Sequence, residues 1–330
     1  MKVCVCVLCL LAACGCIQAH ARAWQPTAGH TQIPIWPGTA PDAQPVPGPE
    51  TVWVGTRLLA GRPLTAVTNV TRPTITVYAP KGRNTGAAVV VFPGGGFYGL
   101  IMALEGTEAC DWLTSNGITC VLLKYRVPSL PYDWRVGRCA MQSHSGDGDC
   151  RPDDLAIPTQ ALEDAQRTMG LVRLHAREWR IDPHKVGVLG FSAGGYLVAE
   201  ISTHFAHRIY PPVDAADEKS ARPDFAIAIY PGHLATDRDL ASDNDALNPN
   251  VPVSRDTPPT FLVQAEDDYV DGVKQSLVYY MALAKEHVPA ELHIYAGGVH
   301  AFGLRPTKLP ITHWPKLADA WLRRIGVVGN

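Results

Sequence analysis

Short apolar runs punctuate the chain after residue 73: Thr74 to Ala79, Ala87 to Phe92, Ile118 to Lys124, Val186 to Leu189, Phe225 to Ile229, Thr260 to Gln264 and Leu292 to Tyr295. They lack clear in–out alternation, which is the pattern of strands covered on both faces. Between them the apolar spacing changes to three and four residues. From Pro158 to Trp179 this places Leu162, Ala165, Met169, Val172 and Ala176 on one face, behind an opening Pro and the acidic pair Glu163 and Asp164, as a core-facing helix requires. Further helices are predicted over Glu105 to Ser115, Ala193 to His204, Gly272 to His287 and Trp314 to Ile325. Strands separated by helices predict one α/β domain over residues 72–330, with a mostly parallel central sheet and helices on both faces.

The chain reads differently before that domain. Residues 24–71 are Pro-rich and keep no period of 2 or 3.6, so they are expected to form an extended arm on the domain surface. Residues 1–23 combine Lys2, an apolar run from Val3 to Ile17 and small residues ending Ala19-His20-Ala21-Arg22-Ala23. That is the layout of a secretory signal peptide, which predicts a secreted or periplasmic protein. The run falls short of the roughly 20 apolar residues of a membrane span. Leu11-Ala12-Ala13-Cys14 offers the alternative of a lipoprotein anchored through Cys14.

Cys110, Cys120, Cys139 and Cys150 remain after the leader. In an exported protein Cys139 and Cys150, which flank a polar loop, are the expected disulfide, since a short loop closes easily. Cys110 and Cys120 are left open between a second disulfide and two buried thiols.

Composition narrows the function. The 330 residues are 46% hydrophobic and 18% charged, with a net charge of -2. This excludes a disordered chain and a basic nucleic-acid binder, and points to an uncharged partner. No CxxC pair or His cluster stands at metal-ligand spacing, so no metal site is expected.

The chemistry concentrates at strand ends. Gly190-Phe191-Ser192-Ala193-Gly194 lies between a predicted strand and a predicted helix, the context in which a tight turn presents a nucleophilic Ser. Pro93-Gly94-Gly95-Gly96-Phe97 follows an earlier strand, and side-chain-free residues there let backbone amides approach an oxyanion. A base and an orienting acid must come later in the chain. His300 sits past the last strand, after Gly297-Gly298; His233, after Tyr230-Pro231-Gly232, is its rival. Glu266, Asp267, Asp268 and Asp271 are the acid candidates, one to hold the imidazole and the rest to be solvated loop charges.

With Pro-Gly-Gly-Gly-Phe at 93–97, Leu-Lys-Tyr-Arg-Val-Pro at 123–128, Gly-Phe-Ser-Ala-Gly-Gly at 190–195, Asp-Asp-Tyr-Val at 267–270 and Gly-Val-His-Ala-Phe-Gly at 298–303, the chain resembles the α/β-hydrolase superfamily. Within it, it is similar to the esterase/lipase-like carbohydrate esterases of the bifunctional feruloyl and acetyl esterase type. The resemblance spans about residues 72–326 and implies the order Ser192, acid, His300. It selects Asp268 as the acid and implies the amides of Gly95, Gly96 and Ala193 as oxyanion donors. Pro93 stands where many relatives carry His.

What the resemblance implies is a serine esterase, whose chemistry calls for no cofactor, acting on short acetyl esters of plant cell-wall carbohydrates, with an acetylated oligo- or polysaccharide or a small ester as partner. Feruloyl or general short-chain carboxylesterase activity comes next, then a prolyl-oligopeptidase-like peptidase, which usually carries a large N-terminal propeller. Phe97, Tyr98 and Leu100 follow the Gly-rich loop directly and are expected to wall a small acyl pocket. Tyr132, Trp134 and Tyr269 could join Phe97 and Tyr98 in stacking on sugar rings.

Overall fold

A computed structural model describes residues 23–43, 48–127, 159–237 and 239–329. The leader with Cys14, the Cys139 to Cys150 loop, Tyr132 and Trp134 lie outside the described residues.

Each apolar run is a strand. A mixed sheet of eight strands runs in the order β1-β4-β6-β5-β7-β8-β9-β10. Its members are β1 (Ile33–Pro34), β4 (Thr74–Tyr78), β5 (Ala88–Phe92), β6 (Thr119–Lys124), β7 (Val186–Phe191), β8 (Ala226–Ile229), β9 (Thr260–Ala265) and β10 (Ala290–Tyr295). From β6 to β10 every neighbouring pair is parallel; β4 is antiparallel to β6, and β1 to β4. Strands β5 to β9 are buried along their whole length, which is why their side chains do not alternate.

The helices are α1 (Glu108–Ser115), α2 (Thr159–Leu174), α3 (Ala193–Thr203), α4 (Lys274–Lys285) and α5 (Trp314–Arg324). A short π-helical turn, Ala103–Thr107, leads into α1. Because the central strands are parallel, the loops leaving β5, β7, β8, β9 and β10 share one edge of the sheet, where α/β folds place their sites.

The segment read as a surface arm departs from that expectation. It contains an antiparallel hairpin, β2 (Thr51–Leu59) and β3 (Arg62–Thr68), turned through Ala60 and Gly61 at φ 48° and 76°. Trp53, Val54 and Leu58 are exposed, and the register breaks between Val54 and Leu58. A two-stranded ribbon outside the main sheet therefore leaves no in–out pattern to read.

Ile35 and Trp36 of the same segment are buried. The Trp36 indole donates to Asp164 at 2.8 Å, and Asp164 also accepts from the Arg126 amide and guanidinium at 2.9 and 3.0 Å. Arg126 reaches Glu163 and the carbonyl of Pro41 as well. On the next turn Arg167 donates to the Ile35 carbonyl and pairs with Asp214 and Asp217. Hence α2 buries its polar face beneath the arm as well as its apolar face against the sheet. Cys110 on α1 and Cys120 on β6 are placed as a disulfide.

Candidate active site

Strand β7 ends at Phe191, and helix α3 begins at Ala193. The single residue between them, Ser192, has φ 52° and ψ -120°, a conformation costing on the order of 1–3 kcal/mol in a non-Gly residue. Its amide donates to the Ile229 carbonyl and its carbonyl accepts from Tyr196, at 3.0 and 3.1 Å, so both sides of the turn are held. Gly194 must be Gly, because a β-carbon there would collide with the Phe92 carbonyl of the next strand.

The loop leaving β5 lies against this turn. A β-carbon on Gly94 would come within 2.9 Å of the Ser192 Cβ, so only Gly permits the approach. Gly95 and Gly96 have φ 132° and 63°. Among the described residues, no group accepts from the amides of Gly95, Gly96 or Ala193, leaving three donors uncommitted beside Ser192. The Gly94 amide is taken: it donates to Glu105 at 2.7 Å.

His300 closes the site from the loop after β10. Its Nε2 lies 3.0 Å from Ser192 Oγ and its Nδ1 2.8 Å from Asp268 Oδ2. Asp268 accepts in addition from Gln264 at 3.1 Å and from the amides of Val270 and Asp271 at 2.9 Å each. Four donors thus converge on this carboxylate. It draws the imidazole proton to Nδ1 and leaves the Nε2 lone pair facing the hydroxyl. Val299 and Ala301, on either side of His300, have φ 53° and 61°, so the loop is strained where it presents the ring. Asp267 holds it there by accepting from the amides of Gly298 and Val299 at 2.9 and 2.7 Å.

Burial works against protonation of His300. The hydrogen bond to Asp268 and the charges of Asp271, Asp268 and Glu105 more than offset that, and its pKa is raised above the ordinary 6.5.

The predicted residues thus converge: Ser192, His300 and Asp268 form one hydrogen-bonded chain, flanked by Gly95, Gly96 and Ala193. The rival His233 instead packs its ring on Phe97 and Tyr196, at 6.0 and 5.9 Å. Phe97 is buried, and Leu100, also buried, pairs its backbone with Val67. Tyr269 is exposed next to Asp268.

Two further acids are buried at the site. Asp271, expected as a solvated loop charge, is only 4% exposed and accepts from Ser192 Oγ at 3.3 Å. Glu105, which the sequence reading did not single out, is buried between the Gly94 amide and the Tyr230 hydroxyl. Burial raises its pKa, against the opposing pull of His300, Tyr230 and Gly94. The one clue in the sequence was its place among Met102, Leu104 and Gly106, inside an apolar turn.

With this geometry in view, comparison with known proteins is decisive for the fold. A family model described as alpha/beta hydrolase fold matches residues 157–304. A solved acetyl ester-xyloside bifunctional hydrolase from Caldicellulosiruptor lactoaceticus superposes with a TM-score of 0.66 at 29% identity, covering 91% of this chain and 97% of that one. The chain has the α/β-hydrolase fold.

Two curated relatives of this α/β hydrolase are similar in sequence. An acetylxylan esterase of Xylanibacter ruminicola is 30% identical over 255 residues, 75% of this chain and 45% of the relative. An endo-1,4-beta-xylanase B of Butyrivibrio fibrisolvens is 26% identical over 227 residues, 64% of this chain and 32% of the relative. The chain therefore spans less than half the length of either.

Proposed function

We propose that this α/β hydrolase is a secreted serine esterase that removes acetyl groups from plant cell-wall carbohydrates. Ser192 Oγ attacks the ester carbonyl while His300 Nε2 takes its proton, and Asp268 orients and stabilises the imidazolium. The amides of Gly95, Gly96 and Ala193 receive the developing oxyanion. Collapse of the tetrahedral intermediate expels the alcohol, protonated by His300, and leaves an acetyl-enzyme that water clears by the same steps. The observation that carries the reading is the run of two hydrogen bonds, 3.0 Å from Ser192 to His300 and 2.8 Å from His300 to Asp268, at a strained turn. The activities named for the Xylanibacter and Caldicellulosiruptor proteins support acetylated xylan as the substrate class, with feruloyl and simple short-chain esters behind it.

Export is part of the proposal. The leader pattern supports it, and so does the Cys110–Cys120 pair, since disulfides persist in oxidising compartments.

The test is acetate release from acetylated xylan, set against ferulate release and a peptide substrate. A fluorophosphonate probe should label Ser192, and Ser192→Ala should lose roughly 1000-fold or more in acetate release with the fold intact. Near-wild-type activity in that variant, or peptide cleavage in place of acetate release, would refute the reading.

A further inference from the structure

Asp271 stands beside Ser192 and takes no part in the chain that runs from Ser192 through His300 to Asp268. Its backbone is fastened on both sides: its amide donates to Asp268 at 2.9 Å and its carbonyl accepts from Gln264 at 2.6 Å. Its carboxylate is boxed in. A β-carbon on Gly232 would lie 2.6 Å from each Asp271 carboxylate oxygen, so the absence of a side chain at 232 makes room for it. Ser192 Oγ donates to its Oδ2 at 3.3 Å. Among the described residues the one basic side chain within 4.0 Å of it is His300, whose Nε2 is 3.9 Å from the same oxygen.

Ser192 has one proton and two acceptors, Nε2 at 3.0 Å and Oδ2 at 3.3 Å. A proton directed at Oδ2 is not directed at the base. A buried carboxylate gives up a donor only at a cost, unless another takes its place. The substrate can supply one. During acyl transfer the leaving oxygen must come to His300 Nε2 to be protonated, and Oδ2 is close by on that side. A hydroxyl on the carbon next to the ester-bearing carbon then falls within reach of Oδ2. A sugar ring with a free vicinal hydroxyl presents that group. A fully acetylated ring presents an acceptor to an acceptor, and an acidic sugar adds like charge, so both are rejected by the same residue.

Resting on the proposed reading of Ser192 as the nucleophile of a carbohydrate acetyl esterase, we propose that Asp271 is a specificity-determining residue. It accepts a hydrogen bond from the free hydroxyl beside the acetyl group on a neutral sugar and so releases the Ser192 proton to His300. The steps balance. The sugar hydroxyl replaces Ser192 at Oδ2 with no covalent change. The Ser192 O–H bond breaks as Nε2–H and the Oγ–carbon bond form, and the carbonyl π pair moves to oxygen. That pair returns as the sugar oxygen leaves and takes the proton from Nε2.

The experiment compares kcat/KM for a methyl xyloside monoacetate with a free vicinal hydroxyl, the fully acetylated methyl xyloside, and 4-nitrophenyl acetate. It uses the wild type, Asp271→Ala and Asp271→Asn, each checked for native circular dichroism and for Ser192 labelling by a fluorophosphonate. The wild type should favour the monoacetate over the fully acetylated xyloside by at least about tenfold, or about 1.4 kcal/mol. In Asp271→Ala, which lacks the competing acceptor, the preference should collapse, chiefly through a rise in kcat on the fully acetylated xyloside. Asp271→Asn keeps an acceptor oxygen and should retain part of it, which covers the case in which the Ala variant does not fold. Labelled enzyme whose substrate preference is the same in wild type and both variants overturns the role of Asp271 alone. Failure of the wild type to label at Ser192, or to release acetate from any xyloside, overturns the underlying reading instead.

Discussion

Glu105 accepts a hydrogen bond from the Gly94 amide at 2.7 Å, which fixes the first residue of the Gly-rich loop against the Ser192 turn. Its other oxygen accepts from the Tyr230 hydroxyl at 2.9 Å, and the Tyr230 ring meets His300 edge to face at 5.0 Å. One buried carboxylate thus ties the loop that carries the free amides to the wall behind the base. Two donors converge on it, and a Gln in its place would turn an N–H toward one of them. Glu105→Gln should therefore lower kcat for an acetyl ester by roughly 10- to 100-fold with little change in KM, less than outright loss of an oxyanion donor costs. Steady-state kinetics on the folded variant checks this.

Neighbouring acids on one loop have separate tasks, so their substitutions should separate as well. Asp268 meets His300 directly, whereas Asp267 meets only the amides of the loop that carries it. Asp268→Asn should cost roughly 1000-fold or more in kcat, through the wrong imidazole tautomer. Asp267→Asn keeps an acceptor for those amides and should cost about tenfold at most, since one loop hydrogen bond is worth about 1 kcal/mol. Equal losses in the two variants would contradict these roles.

The pH profile follows from the charges facing His300: Asp268 and Asp271 after β9, Glu105 before α1, and the neutral Tyr230 after β8. Burial lowers the imidazole pKa, and the carboxylates outweigh it and raise it above 6.5. The base works in its neutral form, so activity is lost on the acid side and gained as pH rises through the raised value. The acid limb of kcat/KM should therefore fall above pH 6.5, and it should move to lower pH in Asp271→Asn and in Glu105→Gln. A limb at or below the ordinary histidine value in the wild type would count against this electrostatic picture.

Asp164 offers a stability test away from the chemistry. It is fully buried and accepts from Trp36 on the arm and from both the amide and the guanidinium of Arg126. Asp164→Ala leaves Arg126 with Glu163 as its remaining carboxylate partner and strands the Trp36 indole N–H and the Arg126 amide, and should cost about 3 kcal/mol. Urea denaturation would record it as a lower midpoint, and limited proteolysis should cut the arm before the sheet.

Much of this molecule is written in local sequence. The apolar runs became the strands β4 to β10, and the spacing of Leu162, Ala165, Met169 and Val172 became the buried face of α2. A fully buried strand and an amphipathic helix are each specified by nearby residues, and so is a Ser or a His framed by Gly at a strand end. The arm was harder to read, because Trp36 is buried by Asp164 and Tyr210, far along the chain, and the hairpin 51–68 lacks a buried face of its own.

Charge is where the sequence by itself ran out. Its residue pattern offered Glu266, Asp267, Asp268 and Asp271 as a cluster, yet a loop without a period does not by itself say which carboxylate faces inward. The family resemblance selected Asp268, and the structure sets it on Nδ1; only the tertiary structure put Asp271 on the hydroxyl and Asp267 on the loop amides, and only it brought Glu105 under Gly94. The reason is physical: a helix or strand is selected by the burial pattern of adjacent residues, whereas the task of an acid is decided by donors that arrive from other strands once the sheet has closed.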